Sequence, residues 1–532
     1  MLRRLILLLA CLAGLAAAPA AARTTITPYL EVEQVFSADL SGHGDAVTYT
    51  GVGGGVDVVV DGPRLKAQVD YRYDHYFAWN HGYGDTDEHT GIARADYSLT
   101  PELTLEGAAF GTRAHGSLAT PAPGLLVGDF NNTEQVYGFQ AGPSYAGRFG
   151  DLSVKADYRY SWVHAGSPDN SLDLGPGQPV LDSDFTTDSH VVDASIGMGP
   201  GELPFGWTVS GGYIRDQIHF LDARYTGTFG RADVIVPVSP SVALEGGVGY
   251  ETNRAGQDQI LVDADGNAVL GPNRRLQPDR SKPRLLSYDQ NGLIWDVGVM
   301  WRPDERTSLE VRGGRRYGET TVTGSFTYRI SPTASFQAVA YDDIESFGRQ
   351  LSSAIGSLPT SFASPIVNVG GGLQGCVFGT NGGKGTCLPA LASVTSDFYR
   401  ARGGYALLSA QRGLWTYGLG VGYMRRHYLT MQGGEIASLI APADDQSVTG
   451  DLLVSRRLSP VSSLSGQADI IWIDTGLPSI GSYTTYGVTG TYDREFSRRL
   501  SGTASIGIYS GSGGTVNQDV IGTALVALRY QL

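Results

Sequence analysis

The sequence predicts an all-β fold: a transmembrane antiparallel β-barrel of about 22 strands (range about 18–24) with no plug domain. Three observations lead there. The chain opens on an export leader, its residues alternate apolar and polar with a period of two from end to end, and its turns alternate between short and long.

The leader comes first. Arg3 and Arg4 form a positive n-region, Leu5 to Leu15 an apolar h-region, and Ala20-Ala21-Ala22 a small-residue cleavage signal. Residues 1–22 are therefore read as a signal peptide and 23–532 as one barrel domain. A lipobox-like Leu8-Leu9-Ala10-Cys11 is the rival reading, disfavoured by the shortness of the apolar run before Cys11.

The strands follow. In Arg64 to Trp79 one face reads Leu65, Ala67, Val69, Tyr71, Tyr73, His75, Phe77 and Trp79, and the other Arg64, Lys66, Gln68, Asp70, Arg72, Asp74 and Tyr76. Successive strand residues flip face, so one side suits lipid and the other water. Leu152 to His164 repeats the pattern, with Lys155, Asp157 and Arg159 on the polar side, and both segments contain Asp-Tyr-Arg-Tyr, at Asp70 and Asp157. Leu293, Trp295, Val297, Val299 and Trp301 alternate with Asp296 and Gly298. Trp415, Tyr417, Leu419, Val421 and Tyr423 alternate with Gly418, Gly420 and Gly422, small residues that relieve crowding where a wall bends. The last strand places Val526, Leu528, Tyr530 and Leu532 on one apolar face running to the chain end, the form of strand that barrel-assembly machinery recognises.

The turns complete the pattern. Short ones, such as Asp61-Gly62-Pro63, Arg302-Pro303-Asp304-Glu305 and Ser459-Pro460-Val461, alternate with longer loops near 116–132, 166–185, 253–289, 344–396 and 429–445. Short periplasmic turns against long outer loops are the habit of outer-membrane barrels. A propeller would show a fixed repeat period instead, and none is found.

Composition agrees. Charged residues make up only 17% of the chain, and glycine contributes 73 of 532 residues. Losing Arg3 and Arg4 with the leader moves the net charge from −14 to −16, which disfavours a nucleic-acid partner. No apolar run of about 18 residues follows the leader, so no transmembrane helix is expected, yet a closed barrel needs none. Cys376 and Cys387, separated by ten residues in an exported chain, read as a disulfide; a metal or redox pair lacks nearby His or C-x-x-C spacing.

The stretch Trp295, Gly298, Trp301-Arg302-Pro303, Arg306-Thr307, Leu309, Gly314-Arg315-Arg316-Tyr317-Gly318, Tyr328-Arg329-Ile330-Ser331 and Tyr341 resembles the outer-membrane barrel family associated with PEP-CTERM/exosortase systems and exopolysaccharide loci. The resemblance covers this segment of the chain and implies a barrel encoded with exopolysaccharide synthesis and export genes. Read on its own, Arg302 to Glu305 is a turn and Arg316-Tyr317-Gly318-Glu319 a tight outer turn. Arg306, Glu310, Arg312 and Arg316 fall on the face opposite Leu309, Val311 and Tyr317, hence inside the barrel. Such charges either neutralise one another or form a constriction that screens solutes.

Enzymatic chemistry is missing. The nine His are scattered, and no His-x-x-x-His pair or Gly-x-Ser-x-Gly elbow occurs. Gly51 to Gly55 and Gly370-Gly371-Gly372 precede no helix, so phosphate cradling is not expected. Asp263-Ala264-Asp265-Gly266-Asn267 has the flavour of a Ca²⁺ loop but lacks the closing Glu, and a type I′ turn explains it as well. No cofactor and no metal is expected.

The expected function is a pore, or an accessory barrel, for exopolysaccharide export in the bacterial outer membrane. Its candidate pore-lining residues are Lys66, Asp70, Arg72, Lys155, Asp157, Arg159, Asp296, Glu310, Arg312 and Arg316. Loop 344–396, the longest, would cover the mouth or fold inward. The alternatives are a structural or surface-interaction barrel and a general porin. A TonB-dependent receptor needs a plug before its barrel, and alternation begins too soon after Arg23 to leave room for one. The expected partners are outer-membrane lipid and lipopolysaccharide, the barrel-assembly machinery, polysaccharide and periplasmic export proteins.

Overall fold

The computed structural model describes residues 23–41, 46–79, 84–115, 133–166, 184–201, 203–219, 221–264, 268–271, 275–362, 375–380, 383–429, 444–476, 481–513 and 516–532. The leader, Asp265-Gly266-Asn267, loop 116–132 and most of 166–185 and 429–445 lie outside them.

Twenty-two strands, from Arg23–Asp39 to Val516–Gln531, form one sheet. Each pairs antiparallel with its neighbours in sequence, and the first pairs with the last from Tyr29↔Gln531 to Asp39↔Ile521. The ring is thereby closed, which leaves no sheet edge along its wall to face lipid. Period-two alternation fixes the two sides of the wall. Val297 is 63% exposed, Ile506 70% and Val526 61% on the outside, while Glu31, Glu33 and Asp216 are buried inside. Val526, Leu528, Tyr530 and Leu532 all lie exposed on the outer face, on the strand that makes the seam with the first.

The seam is tied from within. Arg529 on the last strand reaches Glu31 on the first at 2.6 Å, and Arg72 two strands further on reaches Glu31 at 3.1 Å and Glu33 at 2.7 Å. The short turns cap themselves: Asp304 Oδ1 accepts the backbone N–H of Arg306 at 2.9 Å and of Thr307 at 2.7 Å. At the outer end, Arg316 pairs with Glu319 across a two-residue turn in which Tyr317 has φ 55° and Gly318 φ 78°. That is the type I′ geometry whose twist matches a hairpin. Tyr317 was expected on the outer face with Leu309 and Val311. The turn swings it inward instead, and it is buried beneath Arg316 and Arg400.

The plug-free fold expected from the sequence is corrected by the segment between strands Ala334–Ser346 and Phe398–Arg412. Read as outer loop 344–396, it enters the lumen. Helix Phe347–Gly356, N-capped by the Ser346 hydroxyl, packs on strands Leu103–His115, Thr133–Phe149, Leu152–Gly166 and Phe185–Met198. A short 3₁₀ turn, Pro389–Ala392, touches Leu103–His115 on one side and Asp444–Ser459 on the other. These strands lie far apart around the ring, so the segment that contacts both lies inside it. The Cys376–Cys387 disulfide forms within it, joining two residues that face each other in a small hairpin. It is therefore buried in the lumen and is not a feature of the outer surface.

Two outcomes follow. Arg529→Met should lower stability by about 2 kcal/mol, less than a fully orphaned buried ion because Arg72 remains beside Glu31; urea titration followed by the mobility of the folded band in gels checks it. The hydrogen bonds hold the Asp304 carboxyl below its ordinary 3.8. Its stabilisation is complete above that value and is lost as the pH falls through the lowered one. Asp304→Ala should therefore reduce the urea midpoint at about pH 7 and leave it nearly unchanged at about pH 2.

Candidate functional site: a charged lumen with a docked insertion

Strand parity sends ten expected lining residues inward, but the structure gathers them in separate places rather than one constriction. Asp296, Glu310 and Arg312 meet Arg231, Asp233 and Glu245 on four adjacent strands. Arg312 lies 2.5 Å from Glu245, 3.0 Å from Asp233, 3.1 Å from Glu310 and 3.4 Å from Asp296, and Arg231 lies 2.8 Å from Asp296. Arg316 bridges Glu251 at 3.5 Å and Asp343 at 3.2 Å. Lys155 and Asp157 line a cavity of about 320 Å³ with Asp193, Phe229, Arg231 and Arg316. Arg159 is near enough to act on the charge of Asp193. Arg72 belongs to the seam. Asp70 accepts from Gln68 at 3.0 Å, and Lys66 stands opposite Asp61 and Asp96 on the neighbouring strands.

The insertion is held by polar contacts set into an apolar seat. Phe347, Leu351, Ile355, Leu358 and Phe362 pack with Ile92, Phe110, Val136, Val163, Phe185 and Ile218 of the wall in one cluster. Arg349 Nε lies 2.8 Å from Asp216, which is fully buried, and Arg349 also reaches Glu345 at 3.2 Å. Gln68 exchanges two hydrogen bonds with the backbone of Phe362, at 3.1 and 2.9 Å, and Arg94 donates to the Leu358 carbonyl at 3.2 Å. Across the lumen, Arg426 pairs with Asp445 at 2.5 Å and donates to the Ser393 carbonyl at 3.0 Å. Gln68 and Arg94 sit near the short-turn ends of their strands, so the insertion descends most of the barrel's height.

Sequence reasoning missed Asp216, Arg349, Arg426 and Asp445, whose partners lie on distant elements. It also explained the glycine stripe differently. A Cβ on Gly420 would lie 2.4 Å from Cys376 Sγ, and one on Gly418 2.8 Å from Phe378. These glycines make room for the disulfide hairpin. Open volume remains elsewhere: about 550 Å³ at the outer rim among Tyr288, Tyr317, Arg400 and Tyr428, and about 470 Å³ beside the short turn at Pro460. Among the described residues no group of three His, Cys, Asp or Glu could hold a metal ion, and no helix is long and apolar enough to cross a membrane.

A closed 22-strand ring, apolar outside and charged within, is an integral outer-membrane β-barrel. No protein-family model and no curated protein matches the chain. Among solved structures it is similar to the FrpB iron transporter from Neisseria meningitidis, with 11% identity, 95% of this chain and 82% of that one covered, and a TM-score of 0.44. It is also similar to the ferric-catecholate import receptor Fiu from E. coli K12, with 10% identity, 96% and 82% coverage and a TM-score of 0.46. A third is BauA, the ferric preacinetobactin receptor from Acinetobacter baumannii, with 11% identity, 96% and 81% coverage and a TM-score of 0.44. At these values the likeness carries nothing about cargo.

Asp216→Ala would leave buried Arg349 with Glu345 as its remaining carboxylate and the Ile344 carbonyl beside it, which costs about 3 kcal/mol at such a site. The expected outcome is protease cleavage within 357–397 while the wall stays folded, read by limited proteolysis and gel mobility; resistance equal to the parent would refute the docking role.

Proposed function

We propose that the chain is a stoppered outer-membrane conduit for a bulky hydrophilic solute, with exopolysaccharide as the cargo. The observation that carries the reading is the insertion itself. A ring of 22 strands encloses far more room than its inward side chains fill, and the chain spends a segment with its own disulfide and apolar seat on occupying that room. A barrel with a purely structural role has no use for a wide lumen closed in this way. The lumen walls that remain are charged and hydrated, as a polar solute requires. The polysaccharide class is supported by the resemblance over Trp295 to Tyr341 to barrels of exosortase and exopolysaccharide loci.

The test is conductance in planar bilayers. The parent should show only small events, and a variant with residues 357–394 replaced by a short Gly/Ser linker should show steps at least about tenfold larger. A linker variant that folds by gel mobility yet stays as silent as the parent would sink the conduit. Cargo is tested separately: deleting the gene in the producing bacterium should abolish surface polysaccharide, and the Arg349→Met form should restore it only in part.

A further inference from the structure

The repeated Asp-Tyr-Arg-Tyr segments have a shared structural meaning on the outer wall, apart from the lumen. In the first, Tyr71 OH bonds His89 Nδ1 at 2.7 Å and Tyr73 OH donates to Asp87 at 2.7 Å. In the second, Tyr158 OH bonds His190 Nδ1 at 2.9 Å and Tyr160 OH donates to Asp188 at 2.6 Å. The registers coincide, with Tyr73 opposite His89 and Tyr160 opposite His190. So do the ring geometries: the nearer Tyr and His centroids are 4.9 and 5.1 Å apart, at 41° and 43°. Each aspartate also engages a second histidine, His75 at 2.8 Å in one unit and His219 at 2.6 Å in the other. Five of the nine His, His164 being the fifth, thus stand on one arc of the outer face. Tyr137 and Phe139, on the second of the two strands between the units, link them into one band through His89 and Tyr160.

The band lies at the outer end of the lipid-facing surface. Below it on the same face come Val69, Val154, Ile196 and Val209, and above it the strands run into the outer loops. This is the level of the outer-leaflet headgroups. The side chains there form an ordered set in which the Asp87 and Asp188 carboxylates are taken up by Tyr73, His75, Tyr160 and His219. In the tautomer where the Tyr hydroxyl donates to Nδ1, the His89 and His190 protons sit on Nε2, directed away from the hydrogen bond. Exposed Arg215 is paired in register with His190. Aromatic faces suit sugar rings, and imidazole N–H and guanidinium groups suit phosphate oxygens.

We infer that this arc is a binding surface for the phosphorylated sugar headgroup of the outer-leaflet glycolipid, lipopolysaccharide. The two Tyr-x-Tyr/Asp-x-His units act as equivalent contact points. The inference rests on the outer wall alone and is independent of what passes through the lumen. Its test uses the full barrel in detergent, with native mass spectrometry and the heat-dependent gel shift after adding lipopolysaccharide, dephosphorylated lipopolysaccharide, or phosphatidylglycerol vesicles. The parent should retain lipopolysaccharide, hold the dephosphorylated form at least about tenfold more weakly, and show no comparable retention of phosphatidylglycerol. His89→Gln with His190→Gln should lose about tenfold in retention, and Tyr71→Phe with Tyr158→Phe, which keeps the rings but releases the imidazoles, about threefold. His427→Gln, outside the arc, serves as the control. Equal retention by parent and both double variants, or equal retention of phosphatidylglycerol and lipopolysaccharide by the parent, would overturn the inference.

Discussion

A chain that crosses lipid as strands must pair every backbone N–H and C=O with another strand, because the hydrocarbon offers no partner. Closure of the ring at the contact between the first and last strands is therefore the constraint on which the remainder depends. It explains why the seam is reinforced from inside, where Glu31 gathers Arg529 and Arg72 from both sides of the join. It also creates the second problem of the molecule. Two-residue alternation makes the lumen polar, and 22 strands make it wide, so the interior has to be filled by water or by protein.

The protein uses both. One sector of the inner wall, from Ile92 round to Ala255, is apolar toward the outer end and seats the helix and the segments that follow it. Arginines and carboxylates in mutual contact run from Arg231 to Arg316, starting on strands Ala223–Pro237 and Val242–Gln257 away from their apolar outer ends. Charges so close to one another are balanced locally, which keeps each ion's desolvation matched by a partner. The inward face is thus divided by task, and its apolar part is matched by the insertion rather than by lipid.

How much of this was legible follows from the range of each interaction. Alternation is local, so the facing of Val297 against Asp296, or of Tyr71 against Arg72, could be read from neighbours alone. The turn at Tyr317-Gly318 was likewise readable, though the inward swing of Tyr317 was not, because it depends on Arg400 more than eighty residues on. Asp216 and Arg349 are 133 positions apart, and each looks like an ordinary polar residue of its own segment. The Gly418, Gly420 and Gly422 stripe was seen, but its reason lay in Cys376 and Phe378, on a segment taken for an outer loop. Of the two placements open to loop 344–396, over the mouth or folded inward, the structure takes the inward one, so the expected plug-free lumen is filled by a segment of the barrel domain itself. The repeated Asp-Tyr-Arg-Tyr was also seen, while the Asp-x-His that answers each copy sits on the following strand and shows itself only once the registers are known.

The energetics of the insertion bear on how it can act. Phe347, Leu351, Ile355, Leu358 and Phe362 are each no more than 2% exposed. At about 1.5–3 kcal/mol for each buried side chain, their transfer to water alone opposes ejection by on the order of 10 kcal/mol. Parting Arg349 from Asp216 adds to that. A ligand can move the insertion only by as much as it binds the open state more tightly than the closed one. In the proposed conduit, opening would have to draw on the binding of cargo or of a partner.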